Sequence, residues 1–583
     1  MAKKRPISLL YPVDDESTYR ILSDTTCHDL GLDTLCEQLS QKPNERNMLL
    51  SVLKTMTASP GVASYRARIF EDVRRLPDMC ARLQELLSQV QFLNDYGSFR
   101  KDHDIKAGLW EFLHRLSELN DYIKSVEGIR DCLAGSDIQS DGLLSLKDYI
   151  ETVFIDSHFE ELKKDIAGLN ADTQNLKSVT VGINLNPSFQ VKSVGVISVN
   201  SKEFKNSGIL GNFADAVAAS DPIKQDNEWK GDMHYRQVTK TTSEFLPAME
   251  KLGGFAASLQ IPLLGAQMAA TVANVPENDT GAYMTHYLDK EVSQLLSHLT
   301  KKLERILSKY VNFSIHTIVD LIPEFYYYVT FAKYLDKFRE KGYTFCMPEA
   351  VEETDGVKMK AGGIYNLKLA ISGEVSPADM VPNDLIFDTD HTIYLLTGAN
   401  RGGKTTITQA VGLCYVLAQG GISVPGSSFR YVPVDSIYTH YPADEDKTMD
   451  LGRLGEECSR FKEIYSACTG NSLLLLNETF STTSFEEGYY IASDAVKALL
   501  QKNVRTIYNT HMHKLAFEVE ELNAFANKGK AASLVARTSD GKRSFTIVLS
   551  EPEGRSHAGD IAEKYGVTYE MLTKDRGPET TGP

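Results

Sequence analysis

Gly398-Ala399-Asn400-Arg401-Gly402-Gly403-Lys404-Thr405 follows the apolar run Ile393-Tyr-Leu-Leu396. A glycine, four residues, then Gly-Lys-Thr is the spacing of a phosphate cradle. The glycines let the backbone wrap closely, so that successive N–H groups point at phosphate oxygens. Lys404 brings positive charge to the β- and γ-phosphates, and the Thr405 hydroxyl can ligate Mg²⁺. Ile407, Ala410, Val411, Cys414 and Leu417 then recur at helical spacing. Such a helix places the positive end of its dipole on the phosphates. Residues Gly398 to Gly403, Lys404, Thr405 and Thr406 are therefore the expected contacts to a nucleoside triphosphate.

A phosphate cradle alone hydrolyses nothing, and the chain offers further groups. Further along comes Leu473-Leu-Leu-Leu476-Asn477-Glu478, with Asn477 seventy-three residues after Lys404. Four apolar residues ending in polar ones predict a buried parallel strand whose C-terminal end reaches the ligand. The first polar position usually carries an acid that holds Mg²⁺, often through water. Here it is Asn477. Glu478 is suited to orient or deprotonate the attacking water. A third strand, Val504 to Tyr508, ends in Asn509-Thr510-His511. His511 at that position can contact the γ-phosphate region, although His513 is close enough to compete for the role.

These residues need a scaffold. Residues from about 15 to 175 read as helical, with Leu83, Leu86, Leu87 and Val90 setting the pattern. The period then changes. Val179, Val181, Ile183 and Leu185 alternate, Asn186-Pro187 reads as a turn, and Val194 to Val199 is β-branched. Residues 203 to 280 carry glycines and polar loops. From Leu288 helical spacing returns through Val292, Leu295, Leu299, Leu303, Ile306 and Tyr310. Pro323 is expected to interrupt it, with another helix from Tyr326 to Phe338. Past a boundary at Gly342 to Pro348, short strands lead into alternating strands and helices. The expected fold class is mixed: a helical region with a small β insertion, then an α/β P-loop nucleotide-binding domain.

Bulk properties set limits. At 583 residues, three or four domains are expected. The net charge of −16 argues against a broadly basic nucleic-acid protein but allows a local basic groove. Lys192, Lys202, Lys205, Lys230, Arg236 and Lys240 are candidates for one, and a solvated mixed-charge face explains them equally well. Eight scattered cysteines with no C-x-x-C pair give no support to a zinc site or disulfide framework. The basic start lacks the apolar core of a signal peptide, and Phe255 to Val275 is too interrupted to span a membrane. A cytoplasmic chain without membrane contact is expected.

At this point a family resemblance becomes specific. Thr397 to Thr405 resembles the Walker A motif of the MutS family. Asn477-Glu-Thr-Phe-Ser-Thr-Thr-Ser484, ending at Gly488, resembles that family's Asp-Glu-x-Gly-x-Gly-Thr-Ser stretch. Asn509-Thr510-His511 resembles its Ala-Thr-His, and Gly554 to Gly559 its C-terminal Gly-x-Ser element. The resemblance implies an ATPase using ATP and Mg²⁺, with Glu478 and His511 catalytic and Thr405 and Asn477 at the metal. It implies a homodimer joined head to tail through the nucleotide domains. Leu451-Gly-Arg-Leu-Gly-Glu-Glu457 matches the signature segment that completes the partner's site, with Gly452 where serine is usual and Glu457 at the acidic position.

By the same likeness, residues 1–178 correspond to a helical core, 179–287 to a β-containing clamp-like insertion, 288–345 to lever-like helices and 346–583 to an α/β P-loop ATPase domain of ABC type. The resemblance thus implies a helical core/lever region followed by that domain. A dimeric clamp on branched, recombining or damaged DNA is the implied function. The chain opens directly in the helical region and runs only a short tail past Lys564, so neither a mismatch-reading domain nor a nuclease-like domain is expected. Asn477 predicts weak Mg²⁺ binding and slow hydrolysis, since an amide oxygen lacks the carboxylate charge that favours a hard cation. A different class of function, an ATP-dependent switch that binds protein partners and no DNA, also accommodates the acidic balance. A small-molecule kinase is disfavoured by the large helical region. A long-armed chromosome-type ATPase is disfavoured because no coiled-coil arm fits between Lys404 and Asn477.

Overall fold

A computed structural model describes residues 7–96, 109–155, 160–167, 178–185, 187, 191–200, 273–274, 315–354, 356–398, 402–442, 452–539, 542–552, 563 and 565–574. The chain divides into two compact units. One holds residues 1–84, 135–146 and 320–583; the other holds 85–134 and 147–319.

The first unit is organised around a six-stranded sheet. Its strands are β1 (Ile393–Gly398), β2 (Ile437–His440), β3 (Leu473–Asn477), β4 (Arg505–Asn509), β5 (Ala531–Ser539) and β6 (Lys542–Leu549). Their order is β2-β3-β4-β1-β5-β6. All neighbours run parallel except β5 and β6, which pair antiparallel. A parallel sheet is covered on both faces, so its strands are apolar without alternation. Accordingly Ile393 to Leu396 and Leu473 to Leu476 are all fully buried. Each such leucine contributes roughly 1.5–3 kcal/mol of transfer free energy.

Helix α1 (Lys404–Gln419) follows β1, and thirteen of its sixteen residues are buried, which makes it a core helix on every side. The space it occupies is tight. A Cβ on Gly412 would lie 2.5 Å from Leu30 Cδ2 and 2.8 Å from Leu475 Cδ1. The helix is thus held between β3 and the N-terminal helix Asp24–Leu30, whose start is capped by Ser23 accepting from the Thr26 N–H. Arg66, on the helix Pro60–Arg75, anchors the other end of α1. It is buried and donates to Leu10 O at 2.8 Å and Gln419 O at 2.9 Å. Helices α2 (Gly452–Ala467) and α3 (Phe485–Lys502) complete the layers around β3 and β4. A smaller four-stranded sheet pairs Pro348–Ala350, Ser428–Tyr431, Met359–Ile364 and Asn383–Phe387 in that order.

Pro323 does not interrupt the chain as its sequence suggests. One helix runs from Ile315 to Glu340 with the proline inside it. Proline removes one backbone donor, but its ring sits on the exposed side. Burial of Tyr327, Tyr328, Phe331 and Leu335 outweighs the lost hydrogen bond. Glu324 adds a tie, accepting from Ser8 Oγ at 2.9 Å and the Leu9 N–H at 2.6 Å.

In the second unit, the alternating segment forms the antiparallel pair Ser178–Leu185 and Val191–Asn200, joined on one edge by Ala273–Asn274. Pro187 lies in the intervening turn, as expected. The helical run expected from Leu288 to Tyr310, the basic residues from Lys202 to Lys240, and Gly554 to Gly559 lie outside the described residues.

Candidate active site

Strand β1 ends where the chain must turn sharply into α1. Gly398 has φ 123°, and a Cβ there would sit 2.7 Å from Ala536 O on the neighbouring strand β5. Only glycine fits both the conformation and the space. Gly403, at φ 91°, is the N-cap residue of α1. Ala399, Asn400 and Arg401 lie outside the described residues. Gly402, Gly403, Lys404, Thr405 and Thr406 line one wall of a cavity of about 690 Å³.

Lys404 is buried and donates from Nζ to Gly398 O at 2.9 Å, within the loop itself. Burial pushes its pKa down from the ordinary lysine value, and the Glu478 carboxylate pulls the other way. A desolvated ammonium beside a helix N-terminus is an anion site. The next residue, Thr405, donates from Oγ1 to Asn477 Oδ1 at 3.0 Å. The parallel register makes Asn477 and Asn509 direct partners at the ends of β3 and β4. Asn509 Nδ2 donates both to Asn477 Oδ1 and to Thr405 Oγ1, the latter at 3.2 Å.

Glu478 follows in a left-handed conformation, φ 53°, with its N–H donating to Asn509 O at 2.8 Å. Phe480 is also left-handed, φ 63°. Two such non-glycine residues in three cost of order 1–3 kcal/mol each. The turn aims Glu478 into the cavity, where Oε1 meets His511 Nε2 at 2.8 Å. His513, the competing histidine, opens the short helix His513–Phe517 and does not line the cavity.

Gly452 and Glu457 do not join this group. Gly452 opens α2. Burial raises the pKa of the Glu457 carboxylate, opposed by the Phe480 N–H and the Thr482 side chain, and its Oε2 is buried with no hydrogen-bond partner among the described residues. The Glu457 carbonyl faces His440 Nε2 at 3.3 Å, while His440 Nδ1 meets Thr479 Oγ1 at 3.1 Å. This buried network braces the left-handed turn from below.

The sequence did not disclose the far wall of the cavity. Tyr365, Met380, Asn383 and Phe545 form it. Phe545 is left-handed, φ 56°, and its Cδ1 comes within 3.5 Å of a Cβ placed on Gly403. Asn383 holds that segment, donating to Phe545 O at 3.3 Å and accepting from the Ile547 N–H at 2.7 Å. No local motif marks these residues, because they come from three separate segments. Asn509 was legible in principle: two asparagines close adjacent strands at equivalent positions.

The geometry fits a nucleotide. Positive-φ glycines, a buried lysine and a helix N-terminus form the phosphate end, and an apolar wall with an aromatic ring forms the other. For Mg²⁺ the donors are two neutral oxygens, Thr405 Oγ1 and Asn477 Oδ1, so they fit a cation whose remaining ligands come from phosphate and water. Among the described residues there is no cluster of three or more His, Cys, Asp or Glu side chains suited to a metal. Among them, too, no helix is long and apolar enough to cross a membrane.

Comparison with known proteins places part of the chain beside one family. The family model for MutS domain V matches residues 394–575. Endonuclease MutS2 of Caldanaerobacter subterraneus subsp. tengcongensis is 23% identical over 536 residues, covering 87% of this chain and 60% of that protein. Endonuclease MutS2 of Thermus thermophilus is 28% identical over 34% of this chain and 26% of its own length. The DNA mismatch repair protein MutS of Carboxydothermus hydrogenoformans is 30% identical over 36% of this chain and 26% of its own. The matches thus span 60% or less of each of these relatives. Residues 394–575 therefore match MutS domain V, and across most of its length the chain is similar to a MutS2 protein.

Proposed function

We propose that this chain is an ATP-binding and ATP-hydrolysing DNA-binding protein of the MutS type, acting in DNA repair or recombination. The observation that carries the reading is the convergence of Lys404, Thr405, Asn477, Glu478 and His511 at the C-terminal ends of β1, β3 and β4. Open α/β sheets bind ligands at that edge.

In this reading the loop N–H groups and Lys404 hold the phosphates. Thr405 and Asn477 would hold Mg²⁺, whose charge offsets that of the phosphates. Glu478 accepts the proton of the attacking water at a carboxylate oxygen, and His511 holds that carboxylate in place. The substitution of Asn477 for an acid makes turnover slow.

The rest of the reading concerns assembly. The chain forms a homodimer through its nucleotide domains, with the α2 segment from Gly452 to Glu457 completing the partner's site. The core, clamp-like and lever-like regions grip DNA through its backbone, so branched or damaged structure is recognised and not sequence. The relatives named DNA mismatch repair protein MutS and endonuclease MutS2 support a DNA role.

The test is ATP turnover of the purified chain with four-way-junction and duplex DNA across a salt series. DNA-stimulated turnover with binding that weakens as salt rises is the expected result. ATP binding with no response to DNA would overturn the DNA reading. It would favour a switch that binds protein partners, which the net charge of −16 also accommodates.

A further inference from the structure

Asn477 and Asn509 are neighbours in register, both buried, and joined through their side chains. Asn509 Nδ2 serves two oxygens, Asn477 Oδ1 and Thr405 Oγ1. Asn509 Oδ1 is left buried with no hydrogen-bond partner among the described residues. An unsatisfied buried acceptor costs about 1–3 kcal/mol, so its presence calls for a reason.

The reason lies in the asymmetry of an amide. Asn477 can present either an oxygen or an NH₂ group toward Thr405, and only the oxygen can face a cation. With Asn509 Nδ2 pointing at it, Asn477 must turn its oxygen that way. Were Asn509 reversed, its own oxygen would meet the Asn477 oxygen, and Asn477 would have to turn its NH₂ toward Thr405. The orientation of one amide therefore dictates that of the other. A carboxylate at 477 would need no such partner, because its two ends are alike.

We propose that Asn509 is a positioning residue that keeps the Asn477 carbonyl oxygen facing Thr405, so that the two asparagines act as one unit in setting how much Mg²⁺ strengthens nucleotide binding. This rests on the nucleotide-binding reading of the site. Neither residue carries charge, so the gain from Mg²⁺ is small, and what gain there is depends on Asn509.

The test is equilibrium binding of a fluorescent ATP analogue to the full chain, with Mg²⁺ and with EDTA. The native chain, N509A, N477D and N477D/N509A are compared. The native chain should gain about three- to tenfold in affinity from Mg²⁺, and N477D more than about tenfold, as one carboxylate is added. N509A should abolish the gain in the native background and leave it intact in the N477D background. A native chain with no gain, an N509A variant that keeps it, or a loss of equal size in both backgrounds overturns the proposal. Nucleotide binding by the double variant establishes that removing Asn509 leaves the fold intact, and N509S replaces N509A if the latter alone does not fold. If the native chain binds no nucleotide even in Mg²⁺, the underlying reading of the site fails instead, which is a separate result.

Discussion

Glu478 Oε1 lies 2.8 Å from His511 Nε2, across the ends of two adjacent parallel strands and on the wall of the cavity that holds Lys404. The backbone fixes the carboxylate before any ligand binds. Glu478 is left-handed, and its N–H is tied to Asn509 O. Substituting Glu478→Gln keeps the shape and the hydrogen bond to His511 but removes the proton acceptor. Turnover should fall about a hundred- to ten-thousand-fold with ATP affinity nearly unchanged. Single-turnover phosphate release beside equilibrium binding checks this, and native-rate hydrolysis by E478Q would assign the base elsewhere.

Gly398 and Gly373 separate strain from crowding. Both are left-handed, but a Cβ on Gly373 meets nothing within 4 Å, whereas one on Gly398 meets Ala536 O at 2.7 Å. Gly373→Ala should cost about 1–2 kcal/mol, the conformational term alone. Gly398→Ala must also push β1 from β5, so a loss above about 3 kcal/mol is expected, together with loss of nucleotide binding. Urea unfolding of the two variants gives the comparison. Equal costs would mean that β5 yields freely.

His440 carries a pH dependence of definite sign. It is 2% exposed, and burial, aided by the nearby Arg460 charge, pushes its pKa down to about 4. The unfolded chain takes up the proton near pH 6.5. Between those values the unfolded state binds more protons, so stability is fully present above about pH 6.5 and is lost as pH falls toward 4. The loss between pH 7 and pH 5 should be on the order of 2 kcal/mol. Glu457 acts with the opposite sign, since its raised pKa favours proton uptake by the folded state. His440→Gln should flatten the fall in urea stability over that range. An unchanged slope would place the titrating group elsewhere.

Much of the site was legible because its chemistry is local. Gly398 to Thr405 encodes a strand-to-helix turn within eight residues, and four leucines before Asn477 encode a strand buried on both faces. What resisted reading was non-local. The helix through Pro323 survives because Tyr327, Tyr328 and Phe331 are buried by distant segments, and no proline rule contains that term. Likewise, Asn477 read alone is a lost charge. Only the register between β3 and β4 shows that its amide is gripped by Asn509.

Phe545 offers a test in which stability and affinity should move apart. Its ring is 46% exposed on the cavity wall, and its backbone is held at φ 56° by the Asn383 bridge to Phe545 O and Ile547 N. A residue kept strained and half exposed contributes little packing to the fold. Phe545→Gly removes the left-handed penalty of about 1–2 kcal/mol while adding the chain entropy of glycine, about 0.5–1 kcal/mol. Both terms are small and of opposite sign, so the melting temperature should hardly change. If the cavity takes the nucleotide as proposed, the ring supplies a stacking surface for its base, worth about 1–3 kcal/mol where such contacts have been removed. ATP affinity should therefore fall roughly tenfold or more in F545G. Thermal unfolding and ATP titration on the same preparation make the comparison. If stability collapses along with affinity, Phe545 is part of the core and the cavity wall is formed by its neighbours.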